Sequence, residues 1–134
     1  MALAYASRRI ARYRPETYQR NVLEPIDLSE PGFDSISLNY LLHCLPGDMA
    51  SKAVVFDHIK PLMNAGAVCF GSTLLQGGVR RNWAAKLLMA HYNRHGVFSN
   101  RHDDVETLET TLRARFSRVA VEIVGCAALF CARL

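Results

Sequence analysis

Apolar and polar residues change period several times along this chain, and each change marks an element. Residues 2–13 (ALAYASRRIARY) place Leu3, Ala6, Ile10 and Tyr13 at helical spacing, and Pro15 ends that helix. TYQRNV (17–22) is short and β-prone, which predicts a strand closed by the Glu24-Pro25 break. FDSISLN (33–39) alternates Phe33, Ser35 and Ser37 against Asp34, Ile36 and Leu38, the period of a strand. Residues 49–63 (MASKAVVFDHIKPLM) read as a helix, AVCFGSTLL (67–75) as a buried strand and Gln76-Gly77-Gly78 as a flexible exit. Residues 79–96 predict an amphipathic helix with Trp83, Leu87 and Ala90 on its apolar face. Residues 102–116 start from a cap at Asp103 or Asp104, with acids in the first turn and arginines in the last, as the helix dipole favours. The closing SRVAVEIVGCAALFCARL is two apolar runs around Gly125, the signature of a hairpin. The order α β β α β α α β β predicts an α/β fold: a mostly parallel sheet, a C-terminal antiparallel hairpin and helices on both faces.

Composition narrows the class. The 134 residues form one domain, 1–134, with enough apolar chain to build a core without disulfides or metal. The net charge of +4 is mildly basic, and Arg8, Arg9 and Arg12 fall on the polar side of the first helix, so nucleic acid is not an expected partner. Cys44, Cys69, Cys126 and Cys131 show no paired spacing, which predicts small buried hydrophobes in a reducing, cytoplasmic setting. No apolar run has membrane-spanning length and no signal-peptide order is present. His91 and His95 are four apart but lack a third ligand nearby, so no metal is expected.

The segment FDSISLNYLLHCLPGDMASKAVVFDHIKPLMNAGAVCFGSTLL resembles the fourth strand, following helix and fifth strand of class I S-adenosylmethionine-dependent methyltransferases. Leu62 to Gly66 resembles that family's Leu-x-x-Gly-Gly turn, the C-terminal residues resemble its last helix and sixth and seventh strands, and the first helix with TYQRNV resembles a helix and third strand. The resemblance covers nearly the whole chain. It implies an incomplete Rossmann-like sheet without the first strand, its glycine-rich loop, or the second strand with its ribose-binding acid. S-adenosylmethionine is the cofactor that the parent family implies; none is expected for the chain alone.

The resemblance also places the candidate site. Asn21, at the end of the third strand, and Leu38, near the end of the fourth, fall beside the cofactor. Asn39 and Tyr40 fall beside a small-molecule substrate, with Trp83 as an apolar wall. His43 is either an acid/base group at the pocket mouth or a packing residue; Cys44 is read as core. Asp57-His58 reads as a solvated face. The family's fourth strand normally pairs with the first, so FDSISLN is left with an open edge. Either TYQRNV covers it or a second copy does, and a homodimer is the expected answer. Methylation of a small molecule, reuse of the pocket for cyclisation or isomerisation, and a non-catalytic role beside a full-length methyltransferase all remain open.

Overall fold

Two apolar strands running side by side set the architecture. The computed structural model describes residues 2–28 and 32–134. It begins with α1 (Ala2–Arg9), a 3-10 turn at Ala11–Tyr13 and irregular chain. Then come β1 (Phe33–Asn39), a 3-10 turn at Leu42–Cys44, α2 (Met49–Lys52), α3 (Val54–Ile59) and β2 (Met63–Leu74). The chain closes with α4 (Trp83–Arg94), α5 (Val105–Arg113), β3 (Arg118–Val124) and β4 (Ala127–Arg133). The strand order is β1-β2-β4-β3. β1 lies parallel to β2, whereas β2–β4 and β4–β3 are antiparallel.

The expected strand at 17–22 does not form. TYQRNV is exposed irregular chain that ends in a turn, with Glu24 N–H donating to Asn21 O at 3.1 Å. β-propensity is mostly packing against neighbours, and among the described residues this segment pairs with no strand, only Val22 at its end packing against the core. The parallel part of the sheet is therefore the single pair β1–β2, and β1 stands at the sheet edge. The predicted helix 49–63 is divided at Ala53, and Asp48 caps its first part by accepting from Ser51 N–H at 2.9 Å. Leu62 ends a 3-10 turn (Lys60–Leu62), and Met63 to Gly66 open β2 instead of forming a loop; there the register with β1 jumps from Phe33↔Met63 to Ser35↔Val68.

One face of the sheet is packed. Leu38, Cys69, Ala128, Phe130 and Ala132 meet Phe56 of α3, Leu108 and Leu112 of α5, and Phe116. The Phe56 ring stands edge-on to Phe116 and Phe130 at 6.0 and 6.1 Å. Close approach of β1 to β2 depends on Gly71, where a Cβ would lie 2.1 Å from Leu38 O and 2.8 Å from the Phe130 ring. On the opposite face Ser35, Ser37, Phe70, Leu129 and Cys131 are exposed. The expected second helical layer does not cover them: Leu3, Tyr5, Ile10 and Tyr13 of the N-terminal segment are exposed as well. α4 also departs from expectation. It buries Met89 and leaves Leu87 and Trp83 in solvent, Trp83 80% exposed. Cys69 is buried, but Cys44 and Cys131 are exposed, contrary to the reading of all four cysteines as core.

Candidate functional site

The site is built where β1 stops before β2 does. The parallel ladder ends at Asn39↔Ser72, and Tyr40 N–H closes it by donating to Ser72 O at 2.8 Å. Tyr40 then takes the left-handed conformation, φ +53, and turns the chain into Leu42–Cys44. Leu74, further along β2, has no residue of β1 opposite it. Two side chains serve its backbone instead: its N–H donates to His43 Nδ1 at 3.3 Å, and its carbonyl accepts from Asn100 Nδ2 at 2.9 Å. Buried backbone groups need such partners.

This contact fixes the state of His43. A backbone N–H only donates, so Nδ1 carries the lone pair and the neutral ring holds its proton on Nε2. Phe98 stands edge-on to the imidazole at 4.7 Å and Tyr40 at 5.8 Å. Burial, and next the nearby Lys52 ammonium, push the imidazole down from 6.5 to about 4. At neutral pH His43 is an uncharged hydrogen-bond donor. Among the described residues the only buried side-chain polar atom without a partner is Asp103 Oδ1. Among the described residues no hydrogen bond engages Nε2, and His43 as a whole is 2% exposed.

Behind His43 lies an ion pair that the sequence reading missed. Lys52 and Asp103 are both 0% exposed. Lys52 Nζ donates to Asp103 Oδ2 at 2.5 Å and to Ser99 O at 2.6 Å, while Ser99 N–H donates to His43 O at 2.8 Å. Burial pushes the Asp103 carboxyl up from its ordinary range, and the Lys52 hydrogen bond opposes that rise. Asp104, not Asp103, caps α5 through Thr107 N–H at 2.7 Å. A second arm runs outward from Asn100. Its Oδ1 accepts from Gln76 Nε2 at 3.1 Å and Asn93 Nδ2 at 2.8 Å, and Gln76 Oε1 accepts from Arg81 Nη1 at 2.7 Å. A lysine inside a helical stretch reads as solvated, but Lys52 shares a stripe with Met49, Val55 and Phe56, all buried. That spacing was the available signal.

Of the residues singled out from sequence, Asn39, Tyr40 and His43 stand together at the carboxyl end of β1. Asn39 Nδ2 donates to Ser37 Oγ at 2.6 Å, its Oδ1 accepts from Ser72 Oγ at 3.3 Å, and Tyr40 is 59% exposed. Trp83 lies elsewhere, on a surface shared with Ala84, Leu87, Leu88 and His91. Asn21 serves its own turn, with Oδ1 accepting from Leu23 N–H at 3.1 Å and Nδ2 donating to Glu24 at 2.9 Å. The Leu38 side chain is in the core. Asp57 holds Arg115 at 2.8 and 2.9 Å, and His58 Nδ1 lies 3.1 Å from Val22 O. The His91 and His95 rings are 4.4 Å apart, and among the described residues no three ligating side chains gather for a metal.

No family model matches the chain. It is 34% identical over 129 residues to demethylluteothin O-methyltransferase of Streptomyces thioluteus, covering 96% of this chain and 56% of that protein. It is 45% identical over 121 residues to methyltransferase ctvB of Aspergillus terreus, covering 90% of this chain and 53% of that protein. The chain thus spans about half the length of these curated relatives. An O-methyltransferase family protein from Burkholderia thailandensis overlays 97% of this chain with 40% of its own, at TM-score 0.70 and 19% identity, a likeness of fold.

Proposed function

Because the chain belongs to the class I S-adenosylmethionine-dependent methyltransferases, we propose that it forms the acceptor side of an enzyme that methylates an oxygen of a small, natural-product-like molecule. The observation that carries this reading is His43. It sits just past the carboxyl end of a parallel strand, where open α/β sheets bind ligands, with Nδ1 fixed by Leu74 and Nε2–H without a protein acceptor among the described residues. Such a group orients an acceptor oxygen by donating to it, and a phenolate or carboxylate acceptor needs no base to remove a proton.

In this family S-adenosylmethionine supplies an electrophilic methyl group. The residues present do not make a cradle for it. The Asn21 amide is held in its own turn, the Leu38 side chain is packed, and the room beside Gly71 is taken by Leu38 O and Phe130. We therefore propose that these 134 residues alone do not bind the cofactor usefully. Calorimetry with S-adenosylmethionine and S-adenosylhomocysteine tests this; low-micromolar binding overturns it.

Reuse of the pocket for cyclisation or isomerisation is less well supported, since a neutral imidazole N–H holds its proton at neutral pH. An assembly role has one specific observation behind it. Tyr40 N–H and Leu38 O both point at β2. In a parallel strand each residue sends both backbone groups the same way, so Ser35, Ser37 and Asn39 send theirs to the open edge. A second copy pairing there, closing as a two-fold dimer, is the partner we propose. The unpaired state of all four cysteines supports a cytoplasmic setting. No helix among the described residues is long and apolar enough to cross a membrane.

A further inference from the structure

Charge is distributed unevenly along this chain. From Gln76 to His102 there is no acidic residue, but there are five cations: Arg80, Arg81, Lys86, Arg94 and Arg101. The remaining eleven lysines and arginines face all twelve acids, so the chain's whole positive excess resides in this one segment. The segment folds at the carboxyl end of β2, and three of its cations come together there. Arg81, Lys86 and Arg101 line a groove of about 430 Å³ with Gln76, Ala90 and Asn93. Among the described residues none of the three forms an ion pair.

The groove is held from beneath. Arg81 Nη1 is fixed on Gln76 Oε1 at 2.7 Å, Gln76 on Asn100 at 3.1 Å, and Asn100, fully buried, on the backbone of Leu74 at 2.9 Å. Asn93 is tied to the same Asn100 oxygen at 2.8 Å. One nitrogen of the Arg81 guanidinium is thereby anchored to the sheet, while its Nη2 and Nε have no acceptor among the described residues. Converging cations without a counter-charge repel one another, and an anion in the groove removes that cost. A guanidinium with a free fork suits the paired oxygens of a carboxylate or phosphate.

We propose that this groove binds an oxyanion, carboxylate or phosphate, carried by a small molecule. The inference deepens the functional reading above by naming an acidic substrate class, and it rests on that reading only for the word substrate. Groove size and the amide floor of Gln76 and Asn93 fit a small ligand. Nucleic acid needs a longer basic track with stacking aromatics.

The test is nuclear magnetic resonance of the whole chain at low salt, titrated separately with benzoate and with inorganic phosphate. The expected result is saturable shifts at the side-chain amides of Gln76 and Asn93 and at Arg81 Nε, with dissociation constants on the order of millimolar. Whichever probe saturates identifies the anion. Arg81→Gln should weaken binding at least about tenfold, the size of one lost charge-assisted contact. Because Arg81 also holds Gln76, the exposed pair Lys86→Gln/Arg101→Gln provides a second variant that keeps the network, with the same expected loss; Arg113→Gln on α5 should change nothing. Shifts that never saturate, that spread equally to Arg8, Arg9 and Arg12, or that require a single-stranded oligonucleotide overturn the proposal. A chain that binds benzoate here but serves no methyl transfer leaves the groove in place and removes only the functional reading.

Discussion

His43 Nδ1 accepts the backbone N–H of Leu74 at 3.3 Å, in the place where a neighbouring strand would otherwise stand. A single side chain thus completes the sheet and sets its own tautomer. His43→Ala leaves that N–H buried and unpaired, which should cost about 1–3 kcal/mol. His43→Asn returns an acceptor oxygen near the Nδ1 position and should cost less than half as much, while removing Nε2–H. Urea unfolding of the two variants checks the order; equal losses mean that the Leu74 contact contributes nothing.

The same residue predicts a pH dependence. Unfolded, His43 titrates near 6.5; folded, near 4. Between those values the folded state binds fewer protons, so stability rises with pH. This contribution is complete above about 6.5 and fades as pH falls toward 4. The stability advantage of the native chain over His43→Asn should therefore shrink between pH 7 and pH 5. An advantage that stays constant shows that His43 takes up its proton in the fold at the same pH as in the unfolded chain.

Lys52 and Asp103 hold each other out of water. Lys52→Met leaves a buried carboxylate alone and should cost about 3–5 kcal/mol, whereas Lys52→Met/Asp103→Leu should recover most of it. Additive losses in the double-mutant cycle would mean that the pair is not coupled. Because Ser99 bridges Lys52 and His43, the single variant should also shift the ring resonances of His43 and Phe98.

Two proline variants separate the two edges of β1. Ile36→Pro removes an N–H that faces β2 and should unfold the sheet, while Ser37→Pro removes one that faces outward, where proline is tolerated. With the proposed dimer, Ser37→Pro gives a folded monomer by light scattering at tens of micromolar, a range suited to about micromolar dissociation constants. A native chain that is already monomeric there rules the dimer out.

The segments legible in the sequence were those whose pattern is local. β1, β2, the hairpin around Gly125 and the Asp104 cap follow from alternation, a left-handed turn and a side-chain oxygen three residues before an N–H. Features that depend on distant partners were not legible. TYQRNV is β-prone but, among the described residues, has no strand to pair with, and the apolar residues of α4 divide between the Met89 side and an exposed Trp83 side. Lys52 and Asp103 are 51 positions apart, and nothing in either neighbourhood announces the other. The tautomer of His43 was not legible either, because it is set by Leu74 on another strand.

One consequence of the phase of β1 concerns how the chain tolerates change. Phe33, Ser35, Ser37 and Asn39 place their side chains on the bare face of the sheet. The backbones of Ser35, Ser37 and Asn39 also point to its free edge. Any substitution at Ser35 or Ser37 is therefore felt twice, once through the bare face above the strand and once through whatever lies beside it. Ile36 and Leu38 are constrained only from within. A library randomised over 33–39 and selected for folding alone should keep 36 and 38 apolar and let 35 and 37 drift; adding selection for assembly should narrow 35 and 37 to small residues without altering the other two.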